Sequence, residues 1–326
     1  MKRALLFITD MVAGHWVEGV TIPTTGLAPP NVHDYMDAGL LPTFSEVREN
    51  GVFAFAWNRG ICNTPHGMRY LASGSYRAKA SPMGNKLNWK FDEIAPIPTI
   101  LDACKASHPD GKVAAFGSDA WMQTGWWKAR DCTMGWGSYY SDFLTSQYAM
   151  NWMLNNPDWQ MVLLYLAQYD VTGNCPVYKE GAAYMEDKHH SIQQLDRYLW
   201  VVKTFLEEKG WWDETVLCIA SDHGCHVGCN VAVANGRKKG VPEAELPGYC
   251  DNHGAPHDCF VWDFEKNTVS DTRCDDCRRT LFMLGGGALE EAQRGKEMAE
   301  AEIIDFAPTV AKLMEVELET DGKSVL

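Results

Sequence analysis

The chain has 326 residues, 46% of them hydrophobic, which is enough to bury a sizeable core in one large α/β domain or two modest ones and excludes a disordered chain. A formal net charge of −14 excludes a general affinity for polymeric nucleic acid, whose phosphates need clustered Lys and Arg, and implies that a small anionic substrate would need metal to offset the field. No run of about 20 apolar residues occurs, the stretch before Thr9 is too short for a signal peptide, and the eleven cysteines are odd in number and scattered, so the expectation is a soluble cytoplasmic protein with reduced thiols and no membrane partner.

In chain order, Leu5 to Thr9 is a continuous apolar run ending in Asp10, the pattern of a buried parallel strand with a polar group at its carboxyl end. Leu41 to Gly51 reads as a short capped helix closing at Gly51, and Val52 to Trp57 as a second strand. After Thr64, the stretch Met68 to Gly74 reads as a helix with Pro65 just inside its start. Residues from about 86 to 158 are rich in aromatics, among them Trp121, Trp126, Trp127 and Tyr139. Val113 to Gly117 is a buried strand within that stretch; the remainder fits either helix packing or an aromatic-lined cap over a pocket.

Met161 to Leu166 is the next buried strand and delivers Asp170 just beyond its end. Ile192, Leu195, Leu199, Val202 and Leu206 form one helical apolar stripe, stopped at Lys209-Gly210. Thr215 to Ala220 is a strand ending in Ser221-Asp222-His223-Gly224; residues 226 to 275 are loop-like; Thr280 to Leu284 returns to strand and Ile303 to Met314 is a final helix. Alternation of strand and helix predicts a mainly parallel sheet covered on both faces, a three-layer α/β/α sandwich with ligands at the carboxyl ends of its strands. A single domain over 1–326, with insertions near 86–158 and 226–275, accounts for the order of elements.

A lone Asp after a strand is usually a turn or a helix cap, but Asp222-His223 puts a carboxylate and an imidazole on consecutive residues at a strand end. Asp10, Asp222 and His223 would make one hard or borderline metal site, and Asp170 with a downstream His a neighbouring one. Two ions about 3.5–4 Å apart clamp the attacking and leaving oxygens of an in-line displacement. Thr64 would be the nucleophile, and because a threonine hydroxyl reacts poorly near neutral pH, metal coordination is the means of activating it.

These residues, with Phe7-Ile8-Thr9-Asp10, Asp170-Val171-Thr172-Gly173, His253-Gly254, Asp305-Phe306-Ala307-Pro308-Thr309 and Asp321-Gly322-Lys323-Ser324, resemble the alkaline phosphatase superfamily in the family's order over nearly the whole chain. Thr64-Pro65 followed by Leu71-Ala72-Ser73-Gly74-Ser75-Tyr76 is most similar to the nucleotide pyrophosphatase/phosphodiesterase and phosphonoacetate hydrolase branch, where threonine forms a covalent phosphoenzyme. The resemblance implies an alkaline phosphatase-like fold and hydrolysis of a small anionic phosphate or phosphonate ester. It also implies two divalent ions, zinc first, with manganese or magnesium as alternatives. One ion would be held by Asp10, Thr64, Asp222 and His223, the other by Asp170, Asn174 and His253, with His257 as the alternative to His253; Asn85 would hold a phosphoryl oxygen.

One position departs from the family: Gly173-Asn174 stands where a Gly-His pair is expected. An amide oxygen is a weaker and harder ligand than imidazole, so the second site would bind less tightly, prefer manganese or magnesium, or be empty. His257, His226 or the pair His189-His190 would be the substitutes, although the pair sits on the amphipathic helix, where a solvated position is the ordinary one. Sulfatases of the same superfamily convert the cysteine of Cys-x-Pro-x-Arg, whereas Cys62-Asn63-Thr64-Pro65-His66 has its proline one place late and no arginine, which makes Cys62 a packing residue. Cys274-Asp275-Asp276-Cys277, with Cys225, Cys229, Cys250 and Cys259 upstream, leaves a structural zinc as the alternative to plain thiols. The competing readings are a sulfatase-like enzyme, a cofactor-independent phosphoglycerate mutase, and a non-catalytic metal-binding relative with a degraded second site.

Overall fold

A computed structural model describes residues 2–77 apart from 17, 23 and 24, then 97–119, 133–136, 141–173, 181–224, 240, 242, 260–263, 266, 268–273 and 275–326. Its strands are β1 (Arg3–Thr9), β2 (Val52–Trp57), β3 (Lys112–Gly117), β4 (Thr133–Trp136), β5 (Trp159–Leu166), β6 (Thr215–Ser221), β7 (Phe260–Asp263), β8 (Thr268–Arg273), β9 (Arg279–Gly285) and β10 (Lys296–Glu302). Eight of them form one sheet in the order β10-β2-β9-β6-β1-β5-β3-β4, while β7 and β8 pair separately as an antiparallel ribbon. Within the large sheet only β9 runs against its neighbours, so the carboxyl ends of β1, β2, β3, β5 and β6 share one edge with the amino end of β9.

The helices are α1 (Val32–Asp37), α2 (Pro42–Glu49), α3 (Thr64–Ser73), α4 (Ile100–Ser107), α5 (Asp142–Asn155), α6 (Gln168–Gly173), α7 (Gly181–Glu208) and α8 (Phe306–Met314). Alternation along β1 divides the core: Ala4, Leu6 and Ile8 face α3, α4 and α8, and Leu5 and Phe7 face α1, α2, α5 and α7. Both faces are therefore buried, which is why β1, β5 and β6 read as continuous apolar runs rather than alternating ones. The three-layer α/β/α sandwich with a mainly parallel sheet is as expected.

Several elements were not legible in advance, among them β4, α4, α5, α6 and the β7–β8 ribbon, which lies within the stretch 226–275 expected to be loop. β10 is a charged edge strand, Lys296-Glu297-Met298-Ala299-Glu300-Ala301-Glu302, mostly exposed, and charge on an edge hides the strand pattern while protecting the unpaired side. α1 is short, and its start is set by Asn31, whose side chain accepts from Asp34 N. The stretch expected as an insertion at 86–158 contributes α4, β3, β4 and α5 to the sandwich itself, and the named aromatics Trp121, Trp126, Trp127 and Tyr139 lie outside the described residues. Among the described residues no helix is long and apolar enough to cross a membrane.

Candidate active site

At the carboxyl end of β1 the chain reaches Asp10 and turns at Met11 through a left-handed φ of 63°, rare for a side chain of that size. The turn aims the Met11 amide at Oδ1 of Asp222, 3.1 Å away, and the same oxygen takes the His223 amide at 2.8 Å. Ser221 ties the two strand ends together: its hydroxyl accepts from Val12 N at 3.0 Å and donates to the His223 carbonyl at 2.7 Å. Bonds between backbone groups and the Ser221 and Asp222 side chains thus hold the β1 and β6 termini, and the carboxylate of Asp222, in one geometry.

Thr64 arrives from a different element. It opens α3, with Asn63 as the N-cap accepting from His66 N at 3.0 Å and Pro65 in the first turn. The helix comes so close to the end of β6 that a Cβ at Gly67 would overlap the carbonyl oxygen of Asp222, so only glycine permits this docking. At its other end α3 stops at Gly74 in the left-handed conformation. The outcome is Thr64 Oγ1 3.2 Å from His223 Nε2, with the partial positive charge of the helix start behind the hydroxyl.

Nδ1 of His223 donates to the Gly224 carbonyl at 2.8 Å, which fixes the tautomer and leaves the lone pair on Nε2. That lone pair faces Asp10 Oδ1 at 3.7 Å and Asp222 Oδ2 at 3.6 Å, with all three residues fully or almost fully buried. One ligand atom from each of Asp10, Asp222 and His223 lies within 4.8 Å of the others. Two ligands each about 2.1 Å from a tetrahedral ion stand about 3.4 Å apart, close to the spacings seen here. Three electron pairs converging in a dry place repel one another unless a cation lies between them.

The charge around Asp10 points the same way. Burial, and then the neighbouring carboxylates of Asp222 and Asp170, hold Asp10 well above the ordinary carboxylate range, and Asp119 adds to the effect. The hydroxyl of Tyr165 donates to Asp10 Oδ2. Burial and the carboxylates of Asp10, Asp222 and Asp119 push that phenol well above its usual value, so it stays a donor. Three acids from beyond the ends of β6, β5 and β3 therefore all act on Asp10 at the end of β1.

Asp170 is not on a free strand end but in the first turn of α6, 7% exposed. Lys188, fully buried on α7, holds that turn: its ammonium donates to the Tyr169 carbonyl, stands 3.5 Å from the Asp170 carbonyl, and lies 3.9 Å from the centre of the Tyr169 ring. The structure thus brings Asp10, Thr64, Asp222 and His223 together and sets Asp170 within electrostatic reach. Asn85, Asn174, His226, His253 and His257 lie outside the described residues, as do the upstream cysteines and Cys274. His189 bonds the Tyr35 hydroxyl at 3.1 Å and His190 is exposed. Cys62 is fully buried, its thiol 3.7 Å from the Gly60 carbonyl, and Cys277 is buried and in no disulfide among the described residues.

Sequence reasoning missed Tyr165 and Asp119. Asp119 stands two residues past β3, so the rule that found Asp10 and Asp222, a carboxylate just beyond a buried strand, would have found it as well. Tyr165 carries the period of an apolar strand residue, and its hydroxyl is the one signal that sets it apart.

No protein-family model and no curated relative matches the chain. Solved structures do. Alkaline phosphatase PafA superposes with a TM-score of 0.65 at 11% identity, covering 99% of this chain and 98% of its own. An inactive variant of murine ectonucleotide pyrophosphatase/phosphodiesterase 5 in complex with AMP gives 0.61 at 13% identity, covering 99% and 98%. Phosphonate monoester hydrolase from Silicibacter pomeroyi gives 0.56 at 12% identity, covering all of this chain and 76% of that one. The fold is alkaline phosphatase-like, as the sequence motifs suggest. The structures that share it include a phosphodiesterase, a phosphatase, a phosphonate hydrolase and a sulfatase.

Proposed function

We propose that this protein is a metal-dependent hydrolase of small phosphate or phosphonate esters that works through a covalent phosphothreonine at Thr64. The observation that carries the reading is the 3.2 Å approach of the Thr64 hydroxyl to His223 Nε2 inside the buried cluster of Asp10 and Asp222. The donor set fits a divalent ion: two carboxylates and one imidazole suit zinc or manganese, with Asp10, Asp222, His223 and the Thr64 oxygen as its holders. A bound ion would supply positive charge that lowers the cost of deprotonating the threonine and of bringing a substrate anion into an acidic pocket.

The chain's own residues do the rest. Because the Nε2 lone pair converges with Asp10 Oδ1 and Asp222 Oδ2 on one point, His223 is assigned as a ligand, whose lone pair a bound ion would occupy and so withhold from the Thr64 proton. The start of α3 places the nucleophile at the positive end of a helix dipole, where a phosphoryl group and a developing alkoxide are both favoured. In-line attack by Oγ1 on phosphorus would expel the alcohol of the ester, and water would then release phosphate or phosphonate from Thr64. Asn85 is the proposed holder of a phosphoryl oxygen, and Asp170 with Asn174 and His253 or His257 the proposed frame of a second, weaker ion.

The buried Cys62 supports this reading over the sulfatase one, since its thiol is directed at backbone carbonyls while Thr64 faces the cluster. Elemental analysis of the isolated protein, together with a panel of aryl phosphate, phosphodiester, phosphonate and sulfate esters, tests the assignment. Thr64→Ala is expected to lower phosphoester turnover on the order of 10³-fold or more while leaving the melting temperature close to wild type. Undiminished turnover in that variant would remove Thr64 from the role.

A further inference from the structure

Between Met161 and Leu166 every residue of β5 is fully buried, and Tyr165 is the single one with a polar side-chain atom. Phenylalanine would fill nearly the same volume with no hydroxyl to satisfy, and a buried hydroxyl is costly unless it has a partner. The partner is Asp10 Oδ2. Register explains the encounter: Tyr165 pairs with Ile8 on β1, two residues before Asp10, and both lie on the sheet face shared with Ala4 and Leu6. Asp10 N donates to the Leu166 carbonyl at 3.0 Å, so the backbone on either side of the contact is fixed as well.

The two oxygens of Asp10 consequently have different surroundings. Oδ2 is held by the phenol, whereas Oδ1 accepts no hydrogen bond among the described residues and faces His223 Nε2 at 3.7 Å. The last torsion of an aspartate is soft and two-fold, and repulsion from Asp222 and Asp170 would turn an unheld carboxylate away from the cluster. A lysine or arginine donor could hold it too, but would bring a positive charge that competes with an ion for the same acids. A neutral phenol orients without neutralising.

We propose that Tyr165 is a positioning residue of the cation site, its hydroxyl anchoring one oxygen of Asp10 so that the other is presented beside His223 and Asp222. The inference rests on the cation reading of that cluster given above and extends it to a residue outside the ligand set.

The test is calorimetric titration of metal-stripped protein with Zn²⁺ and with Co²⁺. Tyr165→Phe, with its fold checked by circular dichroism, should bind the first ion about 10–100-fold more weakly, the usual loss when a partner of a metal ligand is removed. The visible spectrum of the Co²⁺ form should also change. Tyr35→Phe, which removes another buried phenol that bonds His189, should leave the affinity at the wild-type value. In an Asp10→Ala background, where no side-chain oxygen remains for the phenol to orient, the Tyr165→Phe change should have no further effect, because the tyrosine acts through that carboxylate. Should the phenylalanine variant not fold, Tyr165→Met reads the same quantity. Wild-type affinity and an unchanged Co²⁺ spectrum in Tyr165→Phe would overturn the inference. Absence of any ion binding by the wild type would instead bring down the cation reading beneath it, so the two failures are distinguishable.

Discussion

Two charged regions of the molecule invite comparison: the buried cluster at the carboxyl edge of the sheet, and the ionic cluster where α1, α2 and β10 meet at its outer margin. In the second, Arg48 bonds Asp37 at 2.7 Å and Glu297 at 2.6 Å, and His33 stands 3.4 Å from Asp34. Burial pushes the Asp34 carboxyl upward, yet the bonds from His33 and Asn31 outweigh it and leave the group below its ordinary range. Burial likewise works against the charge on Arg48, and its bonds to Glu297 and Asp37 more than restore it. At the carboxyl edge the balance is reversed, with Asp10 driven well above its ordinary value by burial and by other acids. At the outer margin opposite charges answer one another; at the carboxyl edge burial gathers acids of one sign, the arrangement that the proposed cation would answer.

The largest way to break this contrast is to remove one buried charge. Asp10→Asn keeps an oxygen for the Tyr165 hydroxyl but ends the repulsion from Asp222 and Asp170. Metal-stripped Asp10→Asn protein at pH 8 should be more stable than stripped wild type by about 1–3 kcal/mol in urea melts, while ion affinity falls on the order of 100-fold or more and ester turnover is lost. A stripped variant less stable than wild type would mean that Asp10 is part of the scaffold after all. Gly67→Ala attacks the same region through packing: the methyl group must displace either α3 or the Asp222 carbonyl. It should cost about 1–3 kcal/mol and reduce turnover more than its stability loss explains, as Thr64 moves away from His223.

That glycine also marks how far the sequence could be read. The strands of the sheet centre were legible because both of their faces are buried, and the acids Asp10 and Asp222 stood out as polar full stops after apolar runs. Nothing at Gly67 signals that its α-carbon lies against the end of β6, since the contact joins residues far apart in sequence. Tyr165 was invisible for a related reason: its period matches an apolar strand, and only the register with β1 reveals what its hydroxyl meets. β10 escaped because an edge strand with charged side chains carries no hydrophobic period.

A pH series separates the two regions without mutation. A carboxyl whose folded value is raised stabilises the fold in its protonated state; that contribution is full below the ordinary 3.8 and is lost as pH rises through the raised value. Stripped protein should therefore gain stability from pH 8 to pH 5 more steeply than ion-loaded protein, in which Asp10 is held as an anion. Asp142, raised to about 7 by burial, titrates the same way in both forms and drops out of the difference. Asp34 has the opposite sign, contributing stability above 3.8 that is lost as pH falls through its lowered value, while His33, raised by its bond to Asp34, loses stability as pH rises through this window but does so alike in both forms, so the outer cluster drops out of the difference as well. Parallel curves for stripped and loaded protein would remove Asp10 from the ion's coordination.

The smallest effect is expected at Arg48, and its smallness is what gives the comparison content. Arg48→Met breaks both ion pairs at once and removes the guanidinium 5.6 Å from the Phe53 ring centre, yet keeps an apolar stem over that ring. The partners Asp37 and Glu297 are 56% and 41% exposed, so water replaces the lost bonds and no charge is left dry. The cost should be about 0–1 kcal/mol in urea unfolding, vanishing towards 1 M salt, with ion affinity and turnover at wild-type values. A loss above about 2 kcal/mol that persists in high salt would show that Arg48 is held by packing and desolvation as Asp10 is, and that exposure does not divide scaffold charge from site charge in this protein.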